Sequence, residues 1–97
     1  MFAINLNESG DVVLAGRFDA SQVDKAESVL GTLQTTTSVD FSGLDYISSA
    51  GIGCLLKTQK RLGASGHMLI LVRMNKLVRD IFNMARLEVI FRIEDNG

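Results

Sequence analysis

The sequence predicts an α/β domain: a mixed, mostly parallel sheet, opened by a hairpin and continued through crossover helices. Three observations predict it. Phe2, Ile4 and Leu6 alternate with polar or small residues, and after the turn chemistry of "NESGD" a second apolar run, "VVLAG", follows. Helical patterns then alternate with short apolar runs. One of those runs, "MLILV", is apolar almost throughout, as expected of a strand inside a sheet. The order is ββαβαβαβ, and such alternation calls for parallel strands joined by crossovers.

Each element has its own signal. "FAINLNESGDVVLAGRF" reads as the hairpin. "DASQVDKAESVLGTL" reads as a helix, with Ser21 as N-cap, Asp24 three residues on, and Val23, Ala26, Leu30 and Leu33 at helical spacing. "QTTT" is a loop and "SVDF" a short strand. The clearest helix follows Ser48-Ser49: Ile52, Leu55, Leu56 and Leu62 share one face, with Gln59 its imperfect member and Lys57, Lys60 and Arg61 off it. "GASGH" turns the chain into "MLILV". "NKLVRDIFNMARLE" is a further amphipathic helix capped by Asn75, "VIFRI" is the last strand, and "EDNG" is a polar tail.

The bulk numbers bound the function. The 97 residues make one domain, 1–97, with a single core. A net charge of -1 gives no electrostatic footprint for nucleic acid or an anionic membrane. One cysteine builds neither a disulfide framework nor a Cys-rich metal site. The start lacks the basic and apolar regions of a secretory leader, and no apolar stretch approaches the roughly 20 residues of a membrane span. A cytoplasmic domain without cofactor or metal is expected.

Catalytic signals are weak. His67, the one histidine, sits in a Gly/Ser turn that suits a solvated loop residue. "ISSAG" is not the G-x-S-x-G of a nucleophile elbow. Gly51-Ile52-Gly53 is a bare G-x-G without a third glycine or a first strand before it, and close packing explains such glycines as well as a dinucleotide does. Asp19 and Asp40 end or punctuate strands; they read as turn acids or, alternatively, as a carboxylate pair. On a helical wheel Ala50, Gly53, Cys54, Lys57 and Arg61 lie opposite the leucine face. That face is either a solvated helix back or a flat docking surface.

Ser48 and Ser49 stand where the central helix begins. One N-cap accounts for one hydroxyl. The second sits at a helix N-terminus, where free N–H groups and the helix dipole favour an anion. A phosphate there would carry about -1.5 to -2 charge near neutral pH.

"VDFSGLDYISSAGIGCLL", together with "GRFDASQ" and "NKLVRDIFNMARLEVIFRI", resembles the STAS-domain family, specifically the bacterial anti-sigma factor antagonists. The resemblance runs over nearly the whole chain. It implies helices packed on one side of the sheet and no catalysis by this chain. It implies that the unphosphorylated protein binds an anti-sigma factor that is also a serine kinase of the histidine-kinase-like ATPase type, freeing a sigma factor. It places the phosphorylated serine at Ser49, reset by a serine phosphatase, with the acids matching Asp19 and Asp40 nearby. Ser48, where the family often has aspartate, is the runner-up site. A further C-terminal helix found in many members has no counterpart here, and Met74-Asn75 stands where a proline is frequent. Partner contact is expected at Asp19, Asp40, Ser48, Ser49, Ala50, Gly53, Cys54, Lys57 and Arg61. Two other readings remain: a non-switching STAS module in a lipid-transport or sensory assembly, and a small enzyme or nucleotide binder built on the G-x-G.

Overall fold

A computed structural model describes residues 1–94 of the chain. The elements follow the expected order: β1 (Phe2–Leu6), β2 (Val12–Phe18), a 3-10 turn (Ala20–Gln22), α1 (Val23–Leu30), β3 (Thr37–Ile47), α2 (Ser49–Gly63), β4 (Leu69–Val72), α3 (Lys76–Met84), a second 3-10 turn (Leu87–Val89) and β5 (Arg92–Glu94). The five strands form one sheet in the order β1-β2-β3-β4-β5, antiparallel at the hairpin and parallel thereafter. Successive parallel strands are added in one direction. Right-handed crossovers therefore place α1, α2 and α3 on one face.

The core lies between that face and the helices. Val12, Leu14 and Phe18 of β2, Val39 and Phe41 of β3, and Leu69 and Leu71 of β4 point into it, against Ala26 and Leu30 of α1, Leu55 and Leu62 of α2, and Val78 and Phe82 of α3. Edge-on ring contacts link Phe41 to Phe82 and Phe82 to Phe91. The opposite face carries Val13, Ala15, Ser38, Asp40 and Ile70 only half buried, with the Arg17 guanidinium 4.5 Å from the centre of the Tyr46 ring. Gly16 has φ +85°, and a Cβ there would collide with the Met1 carbonyl, so only glycine fits the start of the hairpin.

Four expectations from sequence are corrected. The strand read as "SVDF" runs eleven residues, Thr37–Ile47. Its pairing with β2 slips twice, between Val13 and Ala15 and between Gly16 and Arg17, so β3 takes up two extra residues. The buried positions accordingly step by two through Thr37, Val39 and Phe41, then by three to Leu44 and Ile47. Bulges break the period-two signal, which is why the strand looked short.

The first helix begins at Val23, not at a Ser21 cap. Asp19 is the capping residue of the preceding 3-10 turn, accepting from the Ser21 N–H at 3.0 Å, and Gln22 caps α1 without a side-chain bond. The last helix stops at Met84, because Arg86 turns left-handed at φ 59°. Leu87–Val89 is then a 3-10 turn and the last strand is Arg92–Glu94 rather than "VIFRI". Leu6 alternates as expected but is exposed. Of the polar tail, residues 95–97 lie outside the described residues.

Candidate partner-binding site

The β3–α2 joint is built from both neighbouring strands. Phe18 pairs with Ile47, and one step further the Ser48 N–H donates to the Phe18 carbonyl at 2.9 Å. The sheet ladder thus continues into the helix cap. Ser48 has extended backbone, and its Oγ accepts from the Gly51 N–H at 3.3 Å while its carbonyl accepts from Ile52. Ser48 is the N-cap, as expected.

Ser49 is the first helical residue. It is exposed, and its hydroxyl makes no hydrogen bond among the described residues. The Ser49 and Ala50 N–H groups belong to the first turn, where α2 offers no intrahelical acceptor. Asp19 follows Phe18 directly, so its backbone neighbours Ser48 across the strand ends. The Ser21 hydroxyl, 2.6 Å away, holds the Asp19 carboxyl below the usual carboxylate range.

Gly51 explains the first glycine of the G-x-G. A Cβ there would stand 2.9 Å from Ile47 Cγ1 and 3.0 Å from both the Phe18 ring and the Phe18 carbonyl oxygen. Helix and strand end approach too closely for any side chain. Gly53 has nothing within 4 Å and faces solvent.

The predicted docking stripe divides in the structure. Cys54 is buried at 4% exposure, contrary to its expected place on an open face. Burial pushes its thiol above the usual range, with Glu27 adding to the effect. Lys57 pairs with Glu27 of α1 at 3.1 Å. Arg61 donates to the Leu30 and Leu33 carbonyls at 2.9 and 2.8 Å, closing the C-terminus of α1. Cys54, Lys57 and Arg61 therefore form the α1–α2 seam. The buried residues of α2 are Gly51, Cys54, Leu55, Thr58 and Leu62. They centre about 75° round the wheel from the leucine face read in sequence, taking roughly 100° per residue.

The reason for the rotation is Thr58. Read as polar, it points the wheel away from itself; in the structure it is buried and its hydroxyl bonds back to the Cys54 carbonyl at 3.0 Å. Counting small and back-bonding residues as buried would have found the seam. The open ridge of α2 is Ser49, Gly53 and Lys60, bordered by half-exposed Ile52 and Leu56; sequence reasoning placed Lys60 off the apolar face but missed Ile52 and Leu56 as surface residues. Ala50 is half buried beside the cap.

Asp40 is also displaced from expectation. It pairs with Val13, five steps along β2 from the Phe18–Ile47 level, about 16 Å at the usual strand rise. It lies inside β3, on the sheet face away from the helices. There it bonds Arg73 at 2.9 Å, which lowers its carboxyl, and accepts from the Ser42 N–H. That ion pair braces Arg73 in a left-handed turn, φ 58°, immediately before the Asn75 cap of α3. Ser48, Ser49, Ala50, Gly53 and Asp19 come together; Asp40 does not join them.

No cavity is enclosed and no group of His, Cys, Asp and Glu side chains gathers to hold a metal among the described residues. None of the described helices is long and apolar enough to cross a membrane. Fold and site together define a one-sided α/β domain that presents an exposed hydroxyl on a helix N-terminus. The chain belongs to the STAS-domain family: a family model described as "Mlab, STAS domain" matches residues 4–93.

Solved structures agree on the fold. Unphosphorylated SpoIIAA, an anti-sigma factor antagonist, superposes with a TM-score of 0.71 at 21% identity, over 100% of this chain and 90% of that one. Phosphorylated SpoIIAA, described as a Bacillus cell fate determinant, gives 0.72 at 22% identity, over 100% and 92%. The anti-sigma factor antagonist candidate tm1081 of Thermotoga maritima gives 0.79 at 18% identity, over 100% and 87%.

Proposed function

We propose that this chain is the antagonist in a cytoplasmic partner-switching system. The unphosphorylated form binds an anti-sigma factor that is also a serine kinase of the histidine-kinase-like ATPase type, and so releases a sigma factor. Phosphorylation of Ser49 ends binding, and a serine phosphatase restores it. The observation that carries the reading is the contrast at the joint: Ser48 is spent on the cap, while Ser49 is exposed with a free hydroxyl. The likeness to SpoIIAA, solved in both unphosphorylated and phosphorylated forms, supports it.

A phosphate on Ser49 would lie at the positive end of α2, which tolerates it, and close to Asp19, which does not soften its charge. Against an acidic partner group at about 7 Å, with an effective dielectric constant near 20, one unit charge costs about 2 kcal/mol. A tenfold change in affinity needs about 1.4 kcal/mol. One such contact is enough to switch binding.

The test is incubation with ATP and the kinase, read by mass spectrometry. Gain of one phosphate, lost in Ser49→Ala and kept in Ser48→Ala, is the expected result. Full phosphorylation of Ser49→Ala would move the site to Ser48 or elsewhere. The second reading is a non-switching interaction module in a lipid-transport or sensory assembly. The matching family model describes a STAS domain without naming a switch, so it fits this reading as well. It requires tight partner binding with no phosphate gained.

A further inference from the structure

Strand β3 outruns its neighbour. Its pairing with β4 ends at Asp40–Val72, and from Phe41 to Ile47 it continues past the end of β4. On its other side it keeps β2, but through the two slipped registers, and a bulge interrupts the ladder where it occurs. The stretch that delivers Ile47 and Ser48 to the joint is therefore paired continuously on neither side. The joint itself has no slack, since even a Cβ at Gly51 would stand 2.9 Å from Ile47 Cγ1. A shift of the strand end is passed to the first turn of α2, where Ser49 stands.

The cap of α3 stands in for the missing neighbour. Asn75 Oδ1 accepts from the Val78 N–H at 2.8 Å, the cap expected from sequence. Its Nδ2 also donates to the Leu44 carbonyl at 3.0 Å. Leu44 pairs with Gly16, between the two slips, and is only 1% exposed, so its carbonyl lies out of water. A buried carbonyl deprived of a donor costs more than an ordinary hydrogen bond contributes. Capping alone does not select asparagine, because Ser, Thr and Asp cap comparably. Asparagine is the one of these that carries an acceptor and a donor on separate atoms.

The anchor is itself held. Arg73 is left-handed and paired to Asp40, on the last rung that β3 shares with β4, and Met74 packs against the core. Asn75 thus projects from a fixed loop onto the stretch of β3 that β4 leaves uncovered. We propose that Asn75 is a positioning residue for Ser49. Through Leu44 its carboxamide holds the bulged end of β3, and with it the start of α2, in the register that presents the Ser49 hydroxyl. The proposal rests on the reading of Ser49 as the residue that is phosphorylated.

The test uses the full chain, isotope-labelled, with Asn75→Ser and Asn75→Asp. Both keep an oxygen to cap α3, and both lose the amide donor. Leu69→Val, opposite Thr37 at the far end of the β3–β4 pairing, is the control for general loss of stability. Native-state amide exchange at Ser48 and Ile52, whose N–H groups bond the Phe18 and Ser48 carbonyls, should quicken by about fivefold or more relative to the amides of β4. The control should leave that ratio unchanged. With the serine kinase that modifies the parent chain, kcat at Ser49 should fall by about fivefold or more while KM stays within about twofold, the mark of a misplaced hydroxyl rather than of lost docking. Unchanged exchange at Ser48 and Ile52 in both variants, the same change in Leu69→Val, or an unchanged kcat would overturn the proposal. The outcomes separate from those of the switch. Quickened exchange in variants of a parent chain that takes no phosphate sinks the switch and keeps the hold of Asn75 on the joint; phosphate on the parent chain with unchanged exchange sinks the Asn75 proposal alone.

Discussion

Adding one methyl group at Gly51 or at Gly53 should have opposite effects on stability. Both glycines lie in α2, and both gain helix propensity on becoming alanine, about 0.5–1 kcal/mol. They differ in surroundings. At Gly51 the new carbon would stand 2.9 Å from Ile47 Cγ1 and 3.0 Å from the Phe18 ring and the Phe18 carbonyl oxygen. Ordinary carbon contacts lie at about 3.5–4.0 Å. The Ile47 side chain can yield, but the Phe18 carbonyl holds the Ser48 N–H and cannot retreat without loosening the cap. Overpacking of this kind costs about 1–3 kcal/mol.

The net expectation for Gly51→Ala is destabilisation by about 1–2 kcal/mol, a fall in Tm of roughly 5–15 °C for a domain of this size. At Gly53 the methyl meets nothing within 4 Å, so Gly53→Ala should raise stability by about 0.5–1 kcal/mol and Tm by roughly 2–6 °C. Urea and thermal melts followed by circular dichroism measure both. A Gly51→Ala protein that melts at or above the parent would falsify the close-packing argument, as would a Gly53→Ala protein that melts below it.

Three further outcomes are expected. Ser48→Ala should cost about 0.5–1 kcal/mol in a urea melt, at the low end for a lost cap because the bond is long, while an added Ser49→Ala changes little more. Cys54 should resist a thiol reagent in the native protein and react at once in denaturant. Its raised thiol has a sign as well: folding favours the protonated form, so that contribution is complete below the unfolded thiol's value of about 8.5 and fades as pH rises through and beyond it. A cysteine-to-alanine variant should lack that component of the alkaline decline. Asp40→Asn should remove a carboxyl held low by Arg73, whose contribution is present above the unfolded value of about 3.9 and is lost as pH falls. It should flatten the acid limb of the stability profile and leave binding of the proposed kinase partner unchanged; a variant that abolished binding would restore Asp40 to the partner site.

The fold was readable because its strands and helices carry distinct periods. Helix α3 announces itself through the Asn75 cap and its apolar spacing, and β4 through an unbroken apolar run. The strand that positions the site was not readable in full: its two bulges replace a step of two by a step of three at Leu44 and Ile47, and no periodic template contains that pattern. The site was half legible. Ser48 as cap follows from residue type and position alone. Cys54, Lys57 and Arg61 did not, because a wheel resolves which residues share a face but not whether a neighbouring helix covers it. Asp40 was misplaced because its distance from Ser49 depends on register with β2, which is long-range information.

The two bulges of β3 also act as a ruler. β2 crosses from Val12 to Phe18 in seven residues, while β3 spends nine, from Val39 to Ile47, on the same span. Those two surplus residues decide which side chain arrives at the helix start and which way it faces. Deleting one residue between Ser42 and Tyr46 would turn Ile47 out of the core, or advance Ser49 into the capping position and leave Ala50 where the free hydroxyl stands. A substitution at buried Leu44 or Ile47 costs packing at that one position, whereas a change of length shifts every residue beyond it. The exposed positions Ser42 and Asp45 are free to vary in chemistry, but the residue count from Val39 to Ser49 is fixed by the geometry of the joint.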